Sequence, residues 1–135
     1  MTRFSRCRNE DGQAITEFAL ILPILMALLL GIIQFGIIFN NYITLTDATR
    51  AGARKAAVSR FLGDNGASAK TTVENSAQGL DQSVLDPTIN VTAAPDWNTP
   101  GNEVTVTARY PYSIKILGWT VKAGNLTSTT KERLE

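Results

Sequence analysis

The chain divides into one continuous apolar run and a longer segment in which apolar and polar residues recur at regular intervals. Residues 18–39 contain 18 apolar residues out of 22 and no charged residue. As a helix, this run would rise about 33 Å, enough to cross the roughly 30 Å hydrocarbon core of a bilayer. The pattern therefore predicts a membrane-spanning helix.

Two other interpretations of the apolar run are weaker. A buried core helix would have to be enclosed by the 96 residues that follow Phe39, and these are too few to cover a helix that is apolar on every side. A secretory signal has an apolar stretch of about 7–15 residues and a small-residue cleavage site behind it. The run is longer than that, and no such site follows it directly.

Beyond the membrane the helical pattern is expected to continue to about residue 62, where Gly63-Asp64-Asn65-Gly66 is a strong turn signal. A second helix is predicted over 68–80, followed by a break at Asp86-Pro87. Its apolar residues share one face: Ala69, Val73, Ala77 and Leu80.

From residue 88 the apolar period changes to two, which predicts paired strands at 88–94 and 103–110. Tyr110-Pro111-Tyr112 is expected to end or kink the second strand. Two further strands are predicted at 113–117 and 126–133, with Gly124-Asn125 as a turn. The fold class is therefore α+β, with a long N-terminal helix and a small head that contains a second helix and an antiparallel sheet.

Composition excludes several kinds of chemistry. The chain has no histidine, and its one cysteine, Cys7, cannot form an internal disulfide or a thiolate metal cage. The formal net charge of +1 gives no basic footprint for nucleic acid. We therefore expect no enzyme activity, no metal, no cofactor and no nucleic-acid partner.

Glu17 is the most informative polar residue because it abuts the apolar run. A carboxylate at the edge of a membrane costs free energy unless another group neutralises it. Small residues inside and beyond the run would let a second backbone approach closely. We expect helix packing at Phe18, Pro23, Ala27, Gly31, Gly36, Ala48 and Gly52, against either another subunit or the protein's own head.

The spacing of Gly12 and Glu17, between a short charged leader and the apolar run, resembles the processing site of type IV prepilins. That resemblance implies cleavage by a prepilin peptidase between Gly12 and Gln13. It also implies that the carboxylate of Glu17 pairs with the new N-terminal amine of Gln13 in a neighbouring subunit.

A longer stretch resembles the TadE-like family of pseudopilins. The similar residues run from Gly12 to Phe39, including Glu17-Phe18-Ala19-Leu20 and Phe35-Gly36, and continue with Asp47-Ala48-Thr49-Arg50-Ala51-Gly52-Ala53-Arg54. The resemblance implies a minor pilin or pseudopilin that takes part in assembly or initiation of a Tad pilus and in surface adhesion. The implied partners are other pilin subunits, the prepilin peptidase, the inner-membrane assembly platform and membrane lipid.

The expected organisation follows from this resemblance. Residues 1–12 form a cytoplasmic leader, 13–62 a long helix that spans the bacterial inner membrane at about 18–39, and 63–135 an extracytoplasmic head. Two alternatives remain open at this stage. Instead of a minor pilin, the chain would be either the major filament subunit or a membrane-anchored binding or adhesion domain that never enters a filament.

The aromatic residues of the head also admit two interpretations. In the first, the aromatic side chains form an adhesive surface. In the second, they pack the sheet against the second helix, and we consider this the better interpretation because aromatic side chains bury a large apolar area in a small core. These residues are Trp97, Tyr110, Tyr112 and Trp119.

Overall fold

The computed structural model of the protein describes residues 10–85, 88–116 and 118–135. Its elements are α1 (Glu10–Val58), a 3-10 turn (Ser59–Leu62), α2 (Ala67–Ser76), α3 (Gln82–Leu85), β1 (Asn90–Ala94), β2 (Glu103–Ile116) and β3 (Trp119–Arg133). This order confirms the predicted α+β fold. The expected break at Asp86-Pro87, Cys7 and most of the leader over 1–12 lie outside the described residues.

Helix α1 contains 49 residues and is therefore about 73 Å long. It continues through Pro23 without a change of helix type. It ends at Val58 and is followed by the 3-10 turn, after which the chain turns at Gly63, whose φ of 64° lies in the left-handed region that favours glycine. The long helix predicted from the sequence is thus confirmed.

The second half of α1 forms one wall of the head. Its buried residues pack against α2 on one side and against β2 and β3 on the other. The resulting core consists mainly of Leu45, Ala48, Ala53, Ala56, Ala69, Val73, Leu85, Val104, Val106 and Ala108. Because most residues on the α1 side are alanine, the elements of the head pack close to the helix axis.

Helix α2 is shorter than the predicted 68–80, although all four residues of its predicted apolar face are buried. The side-chain amide of Gln82 donates to the carbonyls of Ala77 (2.8 Å) and Leu80 (3.3 Å), which satisfies acceptors beyond the end of the helix. The short helix α3 was not predicted. Asp81 begins it by accepting a hydrogen bond from the backbone N–H of Ser83 at 3.0 Å.

The three strands form one antiparallel sheet in the order β1-β2-β3. Strand β1 pairs with residues 103–107 of β2, which confirms the predicted pairing of these segments. Strand β3 pairs with the whole of β2, from Glu103↔Arg133 to Ile116↔Trp119. The β2–β3 hairpin therefore extends well beyond the end of β1.

The predicted strand end at Tyr110-Pro111-Tyr112 is wrong, because β2 continues through Pro111. The backbone N–H and C=O of Arg109 both contact the hydroxyl of Thr88, on the β1 side of β2. Two residues further along a strand, Pro111 directs its nitrogen to the same side. Within the described residues β1 does not reach that point, so the missing N–H removes no hydrogen bond from the sheet.

The predicted turn at Gly124-Asn125 is also wrong, because both residues lie inside β3 and pair with Tyr112 and Pro111. A Cβ added at Gly124 would lie 3.1 Å from the Cε1 and Oη atoms of Tyr112. The glycine therefore lets the tyrosine ring cover the neighbouring strand. The hairpin turns at Gly118 instead, where φ is 85°.

Candidate subunit-packing surface of the long helix

The first part of α1 carries an apolar surface that the head does not cover. An apolar window of this helix is 0% buried, and its length and composition are compatible with a single membrane crossing. The large apolar side chains between Phe18 and Phe39 that are exposed have fractional exposures between 44% and 72%. Water is a poor solvent for such a surface, so it requires lipid or other helices around it.

The predicted cleavage and pairing residues lie together at the start of α1. Gly12 is in the first turn of the helix, and its carbonyl accepts a hydrogen bond from the hydroxyl of Thr16 at 2.9 Å. The side-chain amide of the next residue, Gln13, donates to Oε1 of Glu17, one turn further along the helix, at 3.0 Å. This contact is exposed and joins two groups of the same helix face. An amide leaves the negative charge of the carboxylate in place.

The small residues of the membrane segment are open within the protein. A Cβ added at Gly31 or at Gly36 would meet no atom within 4 Å. Ala27 is half-buried by its own helix, while Phe18 is 59% exposed. Pro23 lies inside the continuous helix, and Phe35 stacks on Phe39 with ring centroids 6.2 Å apart. Space for a second backbone therefore exists at Gly31 and at Gly36, which lie about 140° apart around the helix.

Ala48 and Gly52, the two predicted packing residues beyond the membrane, lie against the protein's own head. Ala48 is fully buried. A Cβ at Gly52 would overlap Cγ2 of Val73 and lie 3.2 Å from the carbonyl oxygen of Ala69. The small residues of α1 therefore have two environments. Those of the apolar segment have free space beside them, whereas Ala48 and Gly52 are covered by the head.

A buried contact that the sequence did not reveal holds the last strand on α1. The hydroxyls of Thr49 and Ser128 lie 2.7 Å apart, and the Thr49 hydroxyl also donates to the carbonyl of Thr46 at 2.9 Å. The two residues are 79 positions apart in the chain. The only trace in the sequence is that Thr49 falls on the apolar face of a helix and Ser128 on the inner face of a strand.

The head contains an open, polar groove between the start of α2 and the outer part of the sheet. Its volume is about 790 Å³, and it is lined by residues that include Asp64, Lys70, Asn90, Thr107 and Arg109. Among the described residues no group of three or more His, Cys, Asp or Glu side chains is placed to hold a metal ion. The head therefore offers surfaces for contact, and the apolar helix is the dominant feature of the molecule.

Comparison with known families addresses the N-terminal segment directly. The sequence model of the family described as TadE-like protein matches residues 12–54. This segment is TadE-like. The match begins at the glycine of the predicted cleavage site and ends within the part of α1 that packs on the head. It confirms the resemblance inferred from the sequence.

The TadE-like match is confined to the N-terminal part of the chain. The match covers 43 of the 135 residues, which include the whole apolar run and the start of the part of α1 that packs on the head. Neither the curated proteins nor the solved structures give a match to this chain.

Proposed function

We propose that this chain is a minor pilin or pseudopilin of a Tad pilus, anchored in the bacterial inner membrane by α1 with its head outside. The observation that carries the proposal is the uncovered apolar surface of the TadE-like segment, with a carboxylate at its N-terminal edge. Such a helix has two environments in which it is stable, the bilayer and the interior of a helical filament. Movement from one to the other is the assembly step of a pilus.

Processing after Gly12 prepares the helix for this step. The bond between Gly12 and Gln13 lies near the N-terminal end of α1 as described, between the charged leader and the apolar run. Cleavage there by a prepilin peptidase would leave Gln13 as the new N-terminus, one helical turn from Glu17. The amine of Gln13 must remain uncyclised, because pyroglutamate formation would remove its positive charge.

Pairing between subunits then accounts for Glu17. Inside a filament the carboxylate is removed from water, and the amide of Gln13 does not neutralise it. The N-terminal amine of a neighbouring subunit supplies the missing positive charge, so two desolvation costs are offset by one ion pair. Because this pair forms at one axial offset between helices, it also fixes the register of packing.

Substitution of Glu17 tests the proposal in the native pilus system. The variant Glu17→Gln keeps the size and the hydrogen-bonding oxygen of the side chain but removes its charge. We expect processing at Gly12 to continue and assembled pili to fall severely, since a buried amine without its partner costs several kcal/mol. Sheared filaments and the membrane fraction are measured by immunoblot.

The matched control is Glu103→Gln, which removes a carboxylate of the head that pairs with Lys131 at 2.6 Å on an exposed surface. Exposed pairs contribute little, so this variant should assemble like the wild type. If Glu17→Gln assembles as well as Glu103→Gln, the helix serves as a tether and the pairing is wrong. A sheared filament composed mainly of this chain would make it the major subunit instead.

A further inference from the structure

The β2–β3 hairpin has a defined direction relative to α1. The Ser128 hydroxyl contacts Thr49, and the backbone N–H of Glu135 donates to the carbonyl of Ala57 at 3.1 Å. Residue numbers therefore increase in the same direction along β3 and along α1. Since the apolar segment precedes Thr49 on α1, the opposite end of β3, at Trp119, points toward the membrane.

The same contacts give the distance that the hairpin covers. From Thr49 to Ala57 the helix rises about 12 Å, while the chain from Ser128 to Glu135 spans about 23 Å. Each strand residue therefore advances about 1.7 Å along the helix axis. The nine residues from Ser128 back to Trp119 advance about 15 Å, which equals the rise of ten helical residues. Extended at this slope past the irregular pairing near Lys115, the hairpin brings Trp119 close to the level of Phe39, where the apolar run ends.

The chemistry of the hairpin end fits that level. We define the hairpin tip as Lys115, Gly118, Trp119, Val121 and Lys122. Trp119 is 82% exposed and Val121 is 65% exposed, and both lysines are exposed. The packing interpretation of the aromatic residues was therefore wrong for Trp119, although it holds for Trp97 and Tyr110, which pack against the core.

Exposed tryptophan beside lysine is the composition of a membrane interface. The indole ring prefers the headgroup region, where its apolar body and its N–H group both find partners. Lysine side chains at the same depth extend toward the phosphates. The turn at Gly118 places Trp119 opposite Ile116 at the very end of the ladder, so within the described residues no strand lies beyond Trp119.

We propose that the hairpin tip lies on the outer surface of the phospholipid bilayer, with Trp119 inserted at headgroup level. This inference rests on the membrane anchoring of α1 in the proposed function. The tip then acts as a second contact that fixes the orientation of the head above the membrane. Extraction of the subunit into a filament breaks this contact, so the tip adds to the free energy that extraction requires.

Quenching of tryptophan fluorescence by brominated lipid tests the inference, because the chain has two tryptophans, Trp97 and Trp119. The full chain is reconstituted into phosphatidylethanolamine–phosphatidylglycerol vesicles with bromine at shallow or deep acyl positions. The variant Trp97→Phe leaves Trp119 as the reporter, and Trp119→Phe leaves Trp97. We expect at least roughly twofold stronger quenching of Trp119 than of Trp97, with shallow bromine more effective than deep bromine.

A third variant separates the failure of this inference from the failure of anchoring. Phe39→Trp in a chain that lacks both native tryptophans reports whether α1 has inserted. If this Phe39→Trp reporter is quenched and Trp119 is no more quenched than Trp97, the tip is off the membrane and the inference is wrong while anchoring stands. If the Phe39→Trp reporter is not quenched, anchoring itself fails and the inference falls with it.

A contact of the tip with a second copy of the chain gives a different result. Trp119 emission would then shift to shorter wavelength as the protein-to-lipid ratio rises, without quenching by bromine. That outcome would show that the hairpin tip contacts another subunit and not the lipid surface, and it would overturn the inference.

Discussion

The hydroxyl oxygens of Thr49 and Ser128 lie 2.7 Å apart in the core and join the long helix to the last strand. Thr49 is fully buried, and Ser128 is 6% exposed. The Thr49 hydroxyl gives its proton to the carbonyl of Thr46 and so accepts from Ser128. The last strand is thereby held at one height on α1, and the position of the hairpin follows from that height.

Replacement of Thr49 by valine should destabilise the head. The variant Thr49→Val keeps the shape of the side chain but leaves the buried hydroxyl of Ser128 without its acceptor. We expect a loss of about 1–3 kcal/mol in the free energy of unfolding. Urea titration of the full chain in detergent, followed by near-ultraviolet circular dichroism, measures this loss.

The control for that variant is Thr107→Val. The Thr107 and Thr129 hydroxyls lie 3.1 Å apart on the exposed face of the sheet, where water replaces a lost partner. This change should alter the free energy of unfolding by about 0.5 kcal/mol or less. Equal effects of the two substitutions would show that the buried pair does not hold the strand on α1.

Gly52 and Gly31 should respond differently to the same added methyl group. Gly52→Ala places a Cβ against Val73, so we expect a loss of about 1–3 kcal/mol in the stability of the head. Gly31→Ala meets open space within the protein and should leave that stability unchanged. Thermal unfolding in detergent measures both variants.

The contrast between these glycines also tests where each one packs. The double variant Gly52→Ala with Val73→Ala should lose less stability than the sum of the two single variants, because the overlapping methyl is gone. Gly31→Ala should reduce pilus assembly if a second helix approaches that face. Loss of head stability in Gly31→Ala, or full additivity at Gly52 and Val73, would contradict this assignment.

The loop before β2 should make stability depend on acid pH. Asp96 accepts hydrogen bonds from the backbone N–H groups of Asn98 (2.8 Å) and Thr99 (2.9 Å), and these donors hold its pKa below the usual range. The charged form is favoured in the folded state. The contribution of the Asp96 carboxylate to the free energy of unfolding is therefore fully present above the unfolded-state pKa. It is lost as the pH falls through the folded-state pKa.

The variant Asp96→Asn checks this sign. At neutral pH we expect a lower melting temperature than that of the wild type, since the carboxylate is a stronger acceptor than the amide. Below the folded-state pKa of Asp96 the two melting curves should converge, because the wild-type side chain is then neutral. A melting-temperature difference that persists unchanged into acid would show that the charge of Asp96 does not stabilise the loop.

The sequence was sufficient for the long helix and the sheet pairing because local patterns determine both. A run of 22 residues with 18 apolar residues and no charge is typical of a membrane-spanning helix. The alternation at Val104 and Val106 predicts a strand with one buried face. Pro111 and Gly124 misled the prediction, since each is normally a mark of a strand end. Their roles depend on non-local facts: β1 does not reach Pro111, and the Tyr112 ring lies over Gly124.

For the candidate functional residues, too, some features are visible in the sequence and others depend on the fold. The spacing of Gly12 and Glu17 and the small residues are visible in the sequence, and the family match covers them. The sequence alone favours a core position for Trp119, because a large aromatic side chain usually packs in a small core. Its exposure results from the length of the β2–β3 hairpin, which depends on the strand continuing through Pro111.

Processing of this chain as a pilin is tested most directly by the mass of the protein taken from its native membrane. We predict a chain that begins at Gln13, with an uncyclised amine, and retains the whole of α1 from that residue. An intact N-terminus, or a cut after the apolar run at Phe39, would contradict it.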